Sequence, residues 1–127
     1  MTHKHPSLAL ATVTLDCRDA HELAAFYQRL FPDWHVEAAE SEWVLMRPPG
    51  EGTGLAFQAE RWYRPPVWPE RDGEPHKMAH LELRVTDLAA ATAHAVSAGA
   101  VLAGEQPQDD VRVLFDPAGH PFCLFAG

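Results

Sequence analysis

His80 and Glu82 stand two residues apart in His80-Leu81-Glu82-Leu83-Arg84-Val85, a run in which polar and apolar side chains alternate. Strand geometry puts both on one face. An imidazole beside a carboxylate can ligate a metal, act as a general base or hydrogen-bond a ligand. It can also be a satisfied polar pair inside a core. Asp16 lies in a second alternating run, Thr12-Val13-Thr14-Leu15-Asp16-Cys17. Asp16 and Glu82, if close, would share a proton as an acid/base site. Arg84 nearby offers the plainer alternative of an internal ion pair. The catalytic candidates are thus His80 as base, with Glu82 or Asp16 orienting it.

Cys123 needs a base or a positive field to become a nucleophile, and only His80 or His120 would supply one. No spacing motif marks such a pair, and a small buried hydrophobe is the simpler reading. His120, between a glycine and a proline, reads as the anchor of a turn. The other histidines lack metal-type partners, and Pro75 argues against a helix that would aim His76 and His80 at one ion. Trp62, Tyr63 and Trp68 are interleaved with prolines, as in a stiff lid over a planar or apolar ligand. A cover over an open edge, or a contact between two copies, explains them as well. Arg61, Arg64 and Arg71 in the same stretch offer a small anion a positive spot, or simply form a solvated loop. The chain has no Walker loop, dinucleotide fingerprint, Cys-x-x-Cys or Gly-x-Ser-x-Gly elbow.

The elements that must position these residues come twice. Residues 8–17 alternate as a strand, and Asp19 caps a helix carrying Leu23, Phe26 and Leu30 on one stripe. Short strands follow at 34–38, 43–47 and 54–58. Met78 to Val85 repeats the strand, and Asp87 caps a helix of small residues that ends at Gly99. Strands at 101–103, 111–115 and 122–125 complete the second set, with the turn Asp116-Pro117-Ala118-Gly119 before the last. The expected fold is α+β: two βαβββ modules, about 7–58 and 77–126, within a single domain over 1–127. An aromatic- and proline-rich linker, 59–76, joins them. The modules are expected to form one curved eight-stranded mixed sheet with both helices on its convex side. Pleating then sends Thr12, Thr14, Asp16, Gln58, His80, Glu82 and Arg84 into the concave side.

The chain has 127 residues, 46% of them apolar, which suffices for a sizeable core. A net charge of -8 argues against nucleic acid or an anionic membrane as partner. No run approaches a membrane span, no signal-type segment is present, and the two cysteines read as a reduced pair. The expected location is cytoplasmic.

The chain resembles the vicinal oxygen chelate superfamily, and within it the glyoxalase-like, bleomycin-resistance-related domains. The likeness rests on Leu15-Asp16-Cys17-Arg18-Asp19 running into Leu23-Ala24-Ala25-Phe26-Tyr27. It rests also on His80–Val85 with Thr86-Asp87, and on Asp116-Pro117-Ala118-Gly119-His120. The resemblance implies paired modules, a homodimer and a divalent ion in the cup. The superfamily's four metal positions would fall on Thr12, Gln58, His80 and Cys123. Threonine cannot replace an imidazole, a cysteine stands where glutamate is usual, and Gln58 with His80 supplies too few ligands for a tight site.

The expected function is therefore metal-independent binding of a small organic molecule. Thr12, Thr14, Gln58, Arg84, Trp62, Tyr63, Trp68 and Cys123 would contact it beside His80, Glu82 and Asp16. The alternative is a lyase, isomerase or dioxygenase, using either a divalent metal held by Gln58 and His80 or acid/base chemistry at His80. A structural or interaction domain, with the aromatic stretch as interface, is the third reading.

Overall fold

A computed structural model of the chain describes residues 5–127. Its elements run β1 (Thr12–Cys17), α1 (Ala20–Leu30), β2 (His35–Glu40), β3 (Trp43–Arg47) and β4 (Gly54–Ala59). The second set is β5 (Leu81–Val85), α2 (Leu88–Ala98), β6 (Val101–Leu102), β7 (Val111–Phe115) and β8 (Pro121–Ala126). Each half is strand, helix and three strands.

Local chemistry explains the helix boundaries. Asp19 Oδ1 accepts from the backbone N–H groups of His21 and Glu22, each at 3.0 Å, and Asp87 Oδ1 accepts from that of Ala90. These are donors the first helical turn cannot satisfy itself. Gly99 ends α2 at φ +124°, a conformation that only glycine adopts without strain. The last carbonyl of each helix is finished by the other half: Arg29 Nε donates to Ala98 O at 2.7 Å, and the ring of His94 donates to Leu30 O at 3.0 Å.

The single eight-stranded curved sheet expected from the repeat is not what forms. The strands make two separate four-stranded sheets, ordered β1-β4-β3-β2 and β5-β8-β7-β6. Each is mixed, with one parallel pair, β1 with β4 and β5 with β8, beside antiparallel neighbours. Among the described residues no strand ladder joins the free edge of β1 to the free edge of β5. The halves meet instead through helices and side chains. Phe26 packs against Phe122, and one buried cluster takes in Leu23, Tyr27, Met46 and Phe57 together with Ala95, Leu114 and Leu124. An apolar core therefore joins the halves where a backbone ladder was expected.

The first strand of each half is also shorter than the alternation suggested. Leu8 and Leu10 precede β1 and stand 92% and 71% exposed, so they pack on no core. His80 lies one residue before β5 and does not open it. Within the strands the pleat runs as read: Val13, Leu15 and Cys17 turn toward the core, whereas Thr14 and Asp16 are exposed.

Candidate functional site

The face of the second sheet away from the helices is built by register. Glu82 pairs with Cys123, Arg84 with Phe125, and Val113 with Cys123 across β7 and β8. Side chains at paired positions share a face. Above it the linker lays Trp68, whose ring meets Phe115 edge-on at 6.3 Å. The loop before β7 closes the other side: Gln106 binds both the N–H and the C=O of Val113 through its carboxamide. The result is a hollow of about 270 Å3, with Trp68, Lys77, His80, Gln108, Val113 and Cys123 in its walls.

His80 holds its Nε2 3.1 Å from Glu82 Oε2, with the glutamate side chain 60% exposed. That contact orients the imidazole without isolating it from water. Cys123 is half-buried, and burial first, then the Glu82 charge, push its thiol up. It therefore stays a thiol at neutral pH, a poor nucleophile and a poor metal ligand. Cys17 is buried, and desolvation followed by Asp116 raises it to about 11. Both cysteines are free.

Asp16 does not join His80. With Thr14 it lines a second hollow of about 290 Å3, on the β1 side of the linker, beside Tyr63, Arg64, His76 and His120. Among the described residues the ion pairs include neither Asp16 nor Arg84. Arg84 instead places its guanidinium 5.9 Å from the Phe125 ring centre. Asp16 and Glu82 stand on strands of different sheets, and among the described residues neither forms an ion pair with Arg84.

Gln58 donates to Glu60 Oε1 at 2.8 Å, and Thr12 Oγ1 lies 3.4 Å from an Arg47 nitrogen. Trp62 is 80% exposed, with the Arg61 guanidinium over its ring at 4.8 Å. Tyr63 donates its hydroxyl to Ala118 O at 2.8 Å. Burial and the Asp116 charge hold that phenol well above its ordinary pKa.

The donor set does not fit a metal. In the β1–β4 register Thr12 stands opposite Gly54 and Gln58 opposite Asp16. Thr12 and Gln58 are thus offset by four residues, roughly 13 Å along the strands, beyond the reach of one ion. Among the described residues no group of three or more His, Cys, Asp and Glu is gathered as an ion would need.

Lys77 carries no signal in the sequence, and His120 reads there as a turn anchor and as one of two bases within reach of Cys123. His120 does anchor that turn, since its N–H donates to Asp116 Oδ1. The residue also lines two hollows. The Asp116-to-His120 spacing of four was the available signal. Lys77 pairs with Glu70 by side chain.

The family model of the glyoxalase-like domain matches residues 12–125. The chain belongs to the glyoxalase-like domain family. It is thereby a vicinal oxygen chelate protein. A glyoxalase/bleomycin resistance protein/dioxygenase family enzyme from Burkholderia phytofirmans PsJN superposes with a TM-score of 0.69 at 16% identity, covering 94% of this chain and 98% of its own. TnmS3, an antibiotic binding protein from Streptomyces sp. CB03234, gives 0.64 at 19% identity over 96% and 98%. FosX, a fosfomycin resistance protein from Listeria monocytogenes, gives 0.66 at 16% over 97% and 94%. At such identities the likeness of this glyoxalase-like domain is one of fold. A search of curated proteins found no match. Among the described residues no helix is long and apolar enough to cross a membrane.

Proposed function

We propose that this glyoxalase-like protein binds a small organic molecule, without a metal, in the hollow between the second sheet and the linker. One observation carries the reading: Trp68 from the linker, His80 from before β5 and Cys123 from β8 line the same hollow of about 270 Å3. Its walls are mainly apolar, with Lys77, His80 and Gln108 as the few polar groups, the usual make-up of a ligand site. A relative in fold, TnmS3, is described as an antibiotic binding protein, which puts small-molecule binding within the range of this fold. The test is a thermal-shift and calorimetric screen of aromatic and polycyclic compounds against wild type and Val113→Trp. Ligands that raise Tm for wild type alone, and are recovered unchanged, support the reading; a screen that shifts nothing overturns it.

A second reading is favoured by the 3.1 Å contact of His80 with Glu82. In it His80 abstracts a proton from the bound molecule while Glu82 orients the ring. Turnover lost in a folded His80→Gln protein supports this version, and turnover retained there removes it.

The protein is further proposed to be a cytoplasmic homodimer. The unpaired edges of β1 and β5 and the exposed Leu8 and Leu10 support a second copy, and the two free thiols support a reducing compartment. A monomer in sedimentation at micromolar concentration ends the dimer proposal.

A further inference from the structure

The two lips of the hollow under Trp68 are held in opposite ways. The lip before β7 is stitched to its sheet. Gln106 bonds both backbone groups of Val113, Ala103 N–H donates to Val113 O at 3.0 Å, and Arg112 donates to the carbonyls of Gln108 and Asp109. The linker lip supplies Trp68 and Lys77 to the walls. Yet among the described residues no hydrogen bond or ion pair runs from residues 64–79 to any other part of the chain.

The ties of that segment all turn inward. Val67 N–H donates to Pro75 O at 2.8 Å, Glu74 N–H to Arg71 O at 3.1 Å, and Lys77 pairs with Glu70. With Pro69 and Pro75 inside the ring they close, residues 67–77 are a stiff unit. Its fixed points lie outside it. On one side Tyr63 donates its hydroxyl to Ala118 O, and Pro65 lies against Gly119, where a Cβ would come within 2.9 Å. On the other, Leu81 enters β5 opposite Phe122. Met78, just before it, is 97% exposed. The unit meets the second sheet through the edge-on contact of Trp68 with Phe115. A segment held by packing alone opens at a lower free energy than one stitched by backbone bonds.

We propose that residues 67–77 are a hinged lid that admits the ligand to the hollow under Trp68. The lid swings as one piece between Pro65 and Ala79 and carries Trp68 and Lys77 with it, while the lip before β7 stays in place. Opening breaks no hydrogen bond to the body; it costs the apolar contacts of Trp68. A molecule in the hollow meets Trp68 and Lys77 only when the lid is shut, so binding shifts the lid to its closed position. That use of the lid rests on the binding role proposed above; the swing itself does not.

The test follows Trp68 in the ligand-free full chain labelled with fluorotryptophan, its fluorine resonance assigned by its loss in Trp68→Phe. Relaxation dispersion should show Trp68 exchanging between two environments in microseconds to milliseconds, with Trp34 and Trp43 of the first half unaffected. Phe115→Ala, which removes the ring that Trp68 meets, should raise the open population at least about threefold. Glu70→Gln cuts only a tie inside the lid and should change that population by no more than about twofold. If Phe115→Ala does not fold, spin labels replacing Asp72 of the lid and Asp109 of the stitched lip, in Cys123→Ser, decide: two distances are expected. A Trp68 resonance without exchange, exchange shared by Trp34 and Trp43, Glu70→Gln opening the lid as far as Phe115→Ala, or a single label distance overturns the proposal. No ligand enters these measurements, so a fruitless ligand screen leaves their result standing.

Discussion

Tyr27 on the first helix donates its hydroxyl to Asp116, in the turn before the last strand, at 2.8 Å across 89 residues of sequence. Neither group is exposed: Tyr27 is fully buried and Asp116 is 3% exposed. The bond ties the first half to the closing turn of the second. Desolvation, then the Asp116 charge, raises the Tyr27 pKa well above its ordinary value. The phenol therefore remains a donor throughout the neutral range.

Tyr27→Phe should cost about 1.5–3 kcal/mol, since it removes one charge-assisted hydrogen bond and leaves a buried carboxylate short of a donor. Asp116→Asn should cost more, because replacing one carboxylate oxygen by NH2 takes the acceptor from two of its four donors. Urea unfolding of both variants checks the order. Equal stabilities for Tyr27→Phe and wild type would show that the bond contributes nothing.

Gly119→Ala should also destabilise the protein, by about 1–3 kcal/mol. Gly119 has φ +92°, and a Cβ there would stand 2.9 Å from Pro65 Cβ of the linker. Two effects act together, backbone strain and a clash with a stiff ring. The linker's seat against the turn should loosen, which hydrogen exchange at Tyr63 and Val67 would report.

Raising pH should weaken the fold through Cys17. Its folded pKa of about 11 lies above the ordinary 9.0. Stability is intact below pH 9, because both states are then thiols. Above it the unfolded chain ionises while the folded one resists, so stability falls until pH 11 and then levels. Two units correspond to about 3 kcal/mol. Denaturation at pH 8 and pH 10.5 should show a smaller drop for Cys17→Ala than for wild type.

Cys123 should alkylate more slowly than a free cysteine at pH 7.5, and Cys17 more slowly still. The first is half-buried beside Glu82 and the second is 1% exposed. Mass spectrometry after iodoacetamide pulses gives both rates. Rapid labelling of Cys123 would show that its thiol is not raised in solution.

The two halves were legible in the residues because alternation and capping are local signals. Asp19 and Asp87 start the helices where their spacing said, and β3 and β7 have the expected bounds. The joining of the sheets was not legible. A pleat tells which face Asp16 and Glu82 occupy on their own strands, and nothing about the distance between those strands. The curved continuous sheet was an inference across that gap, and the core between Phe26 and Phe122 replaced it. The candidate residues therefore divided, with His80, Trp68 and Cys123 in one hollow and Thr14, Asp16 and Tyr63 in another.

The crossed carbonyl contacts of Arg29 with Ala98 and His94 with Leu30 carry a last implication. Each half owns the side chain that completes its sibling's final helical turn. A protease nick in the exposed stretch around Arg71 to Glu74 should thus yield fragments that stay clasped, since neither can finish its own helix by itself.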